Sequence, residues 1–394
     1  MRERIILFLI LGFDALVLLY EVSTLSITAH EADVLFNGNS FIHYLTQLSV
    51  TTFGYNDYAL RMPMILFHLL SVLLLYQVSK PYVRRNSDRL WLVFVYILLP
   101  GVMSAALLVN SAGVMIFTLF LLLYLYQINS RLIPFILALF LAIDGAYALL
   151  YFALFVYAFN KNSKFYMAFT AILFFASYYL YGFDTMGRPS GHFLDTLGLY
   201  ATIFSPVVFV FLIYVLYRKM ITKEYDITLY VGGVVFVLSL LLSFRQQIHI
   251  EDFAPYLMLL LPLAAQTFFS SYRVRLRVFR GRYRVMLAVG FAILAMHFFL
   301  LLFNKGLYLF LENPHKHFAY KTHIVKELAV TLKSKNINCV SAESVHMQNR
   351  LKFYAIDECP ERVLYEVPLD INSDVTIRYV GRIVAAYNVT KTPI

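Results

Sequence analysis

Charge is scarce in this sequence. Of its 394 residues only 14% are Asp, Glu, Lys or Arg, while 60% are hydrophobic and mean hydropathy is +0.70. A soluble globular chain is about a quarter charged and about half apolar. The scarcity therefore excludes a water-soluble enzyme, and the apolar excess excludes a disordered chain. Cysteine is nearly absent: Cys339 and Cys359 are the only two, too few for a secreted disulfide scaffold. There is no Gly-rich phosphate loop, no motif with closed zinc-ligand spacing, no internal repeat of solenoid period and no low-complexity segment. The N-terminus, MRERIILFLILGF, has the charge and apolarity of a signal peptide. No small-residue cleavage site follows it, so it reads as an uncleaved first helix.

What the sequence has is long apolar runs. A run of about 20 residues spans roughly 30 Å of hydrocarbon. Eleven such segments are expected, over 5–22, 60–78, 90–108, 112–128, 132–145, 146–159, 165–182, 198–217, 227–244, 254–271 and 285–303. The stretch 132–159 reads either as two short helices or as one helix broken near Asp144–Gly145. The net charge of +10 invites a nucleic-acid reading, but the basic residues sit in short loops between apolar runs. With the N-terminus in the cytoplasm, the inner loops carry eighteen Lys or Arg, six of them in the run SSYRVRLRVFRGRYR. The outer loops carry four: Arg61, Arg188, Arg245 and Lys305. That asymmetry sets the orientation, leaves no nucleic-acid partner, and suits anionic lipid head groups along the arginine run. Aromatics, 17% of the chain, fill helix faces and interfacial belts.

The expected fold is therefore a polytopic α-helical membrane domain over 1–305, followed by a small extracytoplasmic α/β domain over 306–394. An odd number of spans places that tail outside, in the periplasm of a Gram-negative cell. KTHIVKELAVTLKSKN and SVHMQNRLKFYAI read as helices, INCVSAE as a short strand, and VTIRYVGRIVAAYNV as strands around a Gly-marked turn. Outside the cytoplasm the two cysteines are able to pair; two free thiols are the alternative. Asn388-Val-Thr390 matches a glycosylation acceptor, a match short enough to arise by chance.

In a membrane protein the informative residues are ionisable groups on outer loops or at membrane depth. The first outer loop packs His30, Glu31 and Asp33 just beyond the first span. Leu35, Phe36, Phe41, Ile42, Leu45 and Leu48 follow at helical spacing, which predicts one or two amphipathic helices on the membrane surface. Asp14 lies at membrane depth, where a Tyr or Ser on a neighbouring helix is the expected partner. Asp144 reads as a cap for the next helix. The loop GFDTMGRPSGHFLD, with Asp184, Arg188, His192 and Asp195, reads as a connector or a lid.

Two stretches carry a family likeness. His30-Glu31-Ala32 is followed by Phe53-Gly54 and then Arg61-Met62-Pro63, and 243–266 reads SFRQQIHIEDFAPYLMLLLPLAAQ. The first pattern resembles the acidic motif, often Asp-Glu-Ala, and the Phe-Gly…Arg-(Leu/Met)-Pro entry to the second span of the GT-C membrane glycosyltransferases. The resemblance is to the branch of aminoarabinose lipid A transferases and protein O-mannosyltransferases. The second is similar to that family's basic, donor-facing loop running into a Pro-Leu-Ala helix. The likeness covers the layout of residues 1–270 but only these short stretches in sequence. Two departures stand out: the family's first Asp falls at His30, and the insert before the second span is shortened.

The resemblance implies transfer of a sugar from a polyprenyl-phosphate donor to a lipid, glycan or protein acceptor of the cell envelope. It implies Glu31 as the carboxylate that takes the acceptor proton, with Asp33 as the second choice. Arg245 is the first candidate for the departing phosphate, since a guanidinium engages two oxygens at once. Arg61, His249 and Glu251 are further substrate-binding candidates. His30, Glu31 and Asp33, with His43 and Glu251, offer ligands for a divalent metal ion. Two rival classes remain: an O-antigen ligase or polymerase, and a transporter or flippase. No large outer loop precedes the tail, as the first would have, and no two-fold internal likeness appears, as many transporters show.

Overall fold

Short polar residues at the ends of the apolar runs decide where helices begin. The structure is a computed structural model that describes residues 2–182, 191–276, 278, 280–369 and 373–391. Asp184 and Arg188 lie outside the described residues, as does Arg277 of the arginine run.

Helix α1 spans Arg2–Thr24 and α2 spans Ala29–Asn37. The Thr28 hydroxyl accepts the Glu31 N–H at 3.0 Å, and the Glu31 carboxylate accepts the Thr28 N–H at 2.8 Å, a reciprocal capping box. Helix α3 (Phe41–Phe53) is capped by the Ser40 hydroxyl, and α4 (Asp57–Val78) by Asn56, which accepts the Ala59 N–H at 2.8 Å. Pro63 lies inside α4 and lacks the N–H that Ala59 would otherwise receive. The Ser49 hydroxyl of α3 donates to that Ala59 carbonyl at 2.6 Å, satisfying it from the neighbouring helix.

Helices α5 (Asn86–Ile97) and α6 (Pro100–Leu107) meet at 65° ahead of α7 (Ser111–Ile128), which starts at Asn110. The stretch 132–159 is two short helices, α8 (Ile133–Phe140) and α9 (Tyr147–Asn160), parted by turns. Asp144 accepts the Ala146 N–H at 2.9 Å in the turn before α9, but it is not the cap expected there: the N-cap is Ala146, and no side chain caps the helix. Helix α10 covers Lys164–Tyr181. The segment expected as one span over 198–217 is instead α11 (Phe193–Phe204) and α12 (Pro206–Ile221), bent by 107° at Ser205, which has φ 63°. Pro206 explains the break: it keeps Ser205 out of the α region and opens the next helix.

Helix α13 (Ile227–Ser243) starts at Asp226, and α14 (Ile250–Met258) meets α15 (Leu261–Val274) at 41°. A Cβ on Gly232 of α13 would stand 2.8 Å from the Leu260 side chain, so a larger residue here requires Leu260 to shift. Helix α16 covers Arg280–Leu302. Each of the eleven expected segments contains helix, but 90–108, 198–217 and 254–271 are each broken into two helices and 141–145 is turn. Among the described residues α1, α4, α7 and α16 are long and apolar enough to cross a membrane, and up to seven segments are if each bent pair is one span. This is a polytopic, mostly helical membrane fold with a small sheet.

The chain divides into two compact units. The first contains residues 1–15, 64–106 and 110–298; the second contains 16–63, 107–109 and 299–394. In the first, Asp14 meets His68 Nε2 at 2.7 Å, with both side chains buried. The partner is thus a histidine, where a Tyr or Ser was expected.

The second unit holds the tail. Helices α17 (Tyr320–Ser334) and α18 (Val345–Phe353) pack with a four-stranded sheet of β1 (Ser341–Ala342), β2 (Arg362–Val367), β3 (Val375–Tyr379) and β4 (Arg382–Lys391). The order is β1-β2-β4-β3, with β1 parallel to β2 and the other pairs antiparallel. Ile324, Val325, Leu328 and Leu332 put one face of α17 into the core with Leu351, Leu364, Ile377 and Val384. Each fully buried aliphatic side chain contributes roughly 1.5–3 kcal/mol. Gly381, at φ 79°, makes the β3–β4 turn. Strand β2 was not anticipated, and Cys339 and Cys359 form a disulfide with Cα atoms 5.5 Å apart.

Candidate active site

In the second unit residues 25–28 join the end of α1 to the start of α2. Backbone groups here need partners, and side chains from the tail supply several. Ser26 N–H donates to the Thr322 carbonyl at 2.8 Å. Lys326 Nζ donates to the Ser23 carbonyl at 2.8 Å. Ile27 N–H donates to the Tyr354 hydroxyl at 3.0 Å, and Arg350 Nε donates to the Ile27 carbonyl at 2.8 Å.

Glu31 stands at the centre of this arrangement. Its Oε2 accepts from Thr28 N–H and from Arg61 Nη2 at 2.9 Å. Its Oε1 accepts from Arg61 Nε at 3.1 Å and from Val109 N–H at 3.2 Å. Four donors thus hold one carboxylate in a bidentate pair whose side chains are 1% and 0% exposed. Arg61 spends two further donors on the carbonyls of Leu25 and Ser26, at 3.3 and 2.9 Å. A carboxylate so surrounded stays in place; it presents no lone pair to solvent.

Asp57, which the sequence reading did not single out, lies one helical turn before Arg61. Its Oδ1 accepts from the Tyr354 hydroxyl at 2.7 Å and is 4.0 Å from Arg61 Nη1; its Oδ2 accepts from Lys326 Nζ at 2.8 Å. Two sequence signals were present: the i,i+4 spacing of Asp57 and Arg61, and the Thr-x-x-Glu capping box at 28–31. Tyr354 and Lys326 had no such signal, because their partners are some 300 residues away in sequence. Burial and the neighbouring Asp57 push the Tyr354 phenol above its ordinary range. Arg350, buried and bonded to carbonyls, is lowered by burial to about 10, so it remains a cation at neutral pH.

The other side of α2 is different. His30 and Asp33 are exposed, three residues apart and therefore on one face. Asp33 Oδ1 accepts from Asn37 Nδ2 at 2.8 Å, which leaves Oδ2 facing solvent. His43 Nδ1 bonds the Val34 carbonyl at 2.8 Å. Among the described residues no three His, Cys, Asp or Glu side chains gather to hold a metal ion. The candidates His30, Glu31 and Asp33 do not fit one, since Glu31 points into the protein and the other two point out.

The remaining expected residues belong to the first unit. Arg245 is exposed in the turn after α13. His249 is exposed at the start of α14 and makes no capping bond, and Glu251 is exposed in its first turn.

No family model matches this sequence, and no curated protein matches it. A crystal structure does: that of ArnT from Cupriavidus metallidurans in the apo state. The match covers 89% of this chain and 84% of that one, with a TM-score of 0.60 and 12% sequence identity. The chain shares the fold of that structure.

Proposed function

We propose that this chain is an integral-membrane glycosyltransferase of the GT-C type. It moves a sugar from a polyprenyl-phosphate donor to a lipid, glycan or protein acceptor of the cell envelope. The observation that carries this reading is the fold likeness over nearly the whole chain. The His30-Glu31-Ala32 and Arg61-Met62-Pro63 stretches support it, because Glu31 and Arg61 are bound to each other.

The orientation proposed is N-terminus cytoplasmic and tail extracytoplasmic. The positive-inside asymmetry supports it, and so does the Cys339–Cys359 disulfide, a bond that persists in oxidising compartments.

In the reaction the acceptor oxygen or nitrogen bonds to the sugar's anomeric carbon. The bond from that carbon to the phosphate oxygen breaks, and its electron pair leaves with the polyprenyl phosphate. The acceptor's proton passes to a base, and a cation neutralises the leaving phosphate. The proposed base is Asp33, on the exposed face of α2, with His30 beside it at the position of the family's first Asp. Glu31 and Arg61 act as positioning residues that fix the loop and the N-terminal turn of α2. Arg245 is the proposed phosphate partner, and His249 and Glu251 are proposed to contact donor or acceptor.

The test is mass spectrometry of envelope lipids, glycans and glycoproteins from a deletion strain complemented with wild type or a variant. The expected result is one sugar mass that vanishes on deletion, returns with wild type and does not return with Asp33→Asn at equal protein abundance. An unchanged envelope in the deletion strain overturns the transferase reading. Full rescue by Asp33→Asn overturns the assignment of the base.

A further inference from the structure

The first unit contains a cleft of about 480 Å³ that the transferase reading does not use. Its walls are the α4–α5 loop (Pro81, Tyr82), the end of α7 (Tyr126, Gln127), the end of α12 with the loop to α13, and α15. Its size falls within the range of about 300–1,000 Å³ usual for small-molecule sites.

Its chemistry is unlike that of its neighbourhood. The loops at this end of the helices carry an excess of Lys and Arg. Among the described residues that line the cleft, Lys219 is the one basic side chain against two carboxylates, Glu224 and Asp226, which leaves one net negative charge. Asp226 is fully engaged: it accepts from Ile227 N–H at 2.8 Å, from the Thr228 hydroxyl at 2.9 Å and from the Tyr82 hydroxyl. Lys219 donates to Glu224 Oε2 and, at 3.1 Å, to Gln266 Oε1. An ammonium has three donors, so one donor of Lys219 remains. Glu224, 60% exposed at its side chain, keeps Oε1. Tyr82, Tyr126 and Tyr225 supply aromatic faces, and Leu123, Ile227 and Leu263 supply an apolar wall.

The geometry points to a binding site for a phospholipid with a zwitterionic, primary-ammonium head group. The ammonium meets Glu224 Oε1 and the tyrosine faces, where a cation is attracted by the ring quadrupole. The phosphate meets the free donor of Lys219, and an acyl chain lies along the apolar wall. An anionic head group brings net negative charge to a cleft that is already negative. A trimethylammonium head group has no N–H to give Glu224.

The test is native mass spectrometry of the full-length protein in detergent, titrated with phosphatidylethanolamine, phosphatidylcholine or phosphatidylglycerol of matched chains. Phosphatidylethanolamine is expected to bind tightest. Glu224→Gln is expected to weaken it about tenfold, the loss of one charge-assisted hydrogen bond, without weakening phosphatidylglycerol. Tyr225→Leu weakens it as well. Equal binding of phosphatidylglycerol, or an unchanged affinity in Glu224→Gln, overturns the proposal. Displacement by free phosphoethanolamine at the lipid's own concentration overturns the lipid as occupant. None of these readouts depends on sugar transfer.

Discussion

Glu31 and Asp33 lie two residues apart on one nine-residue helix, about 200° apart around its axis. Glu31 is turned inward, held by four donors and paired with a buried arginine. Asp33 is turned outward, with a single side-chain partner on its own helix. A carboxylate that must take a proton from an incoming acceptor needs a lone pair within reach of it. Position on the helix, not residue type, separates the group that holds the loop from the group able to meet a substrate.

The comparison breaks first at Arg61. Arg61→Met leaves Glu31 buried without its cation, and losing one partner of a buried pair costs about 3–5 kcal/mol. The expected result is a large fall in thermal midpoint or in the amount of folded protein, read by a thermal-shift assay in detergent. A variant as stable as wild type contradicts the positioning role. Cys359→Ala opens a loop closed across 20 residues of sequence and is expected to cost about 3 kcal/mol. Its effect should concentrate in the tail, read by hydrogen exchange over α17, α18 and the sheet.

Tyr354→Phe removes the hydroxyl that donates to Asp57 and accepts from Ile27, and is expected to cost about 1–3 kcal/mol for the unsatisfied groups left behind. A pH-dependent term comes from His323. Burial, with Lys305 and His317 nearby, lowers its pKa from 6.5 to about 3. The unfolded chain therefore binds the proton more readily, so this stability is complete above pH 6.5 and is lost as pH falls toward 3. The slope is about 1.4 kcal/mol per pH unit within that window. His323→Phe is expected to flatten the pH dependence of the tail's unfolding.

Much of this was legible in the sequence where the cause is local. Helices α2 and α3, both tail helices, and the β3–β4 turn follow from spacing, caps and Gly381, and the outer location expected for two cysteines agrees with their pairing. What was not legible is long-range. The acidic motif resembled a family's catalytic motif, but which of its residues faces inward depends on Arg61, thirty residues on, and on Val109. The capping box at Thr28 did carry the hint, because its glutamate must fold back toward the start of its own helix. Strand β2 escaped notice because RVLYEV is short and earns its place only by pairing with β4. The 107° bend at Ser205 was marked by Pro206, yet the apolar run through it read as continuous.

The most direct measurement compares Asp33→Asn with Glu31→Gln for sugar transfer and for thermal stability on the same purified proteins. The account predicts that Asp33→Asn keeps its thermal midpoint and loses turnover by about 10²–10⁴-fold, the usual contribution of a general base. It predicts that Glu31→Gln loses stability first. A stable, inactive Glu31→Gln beside a fully active Asp33→Asn would contradict it.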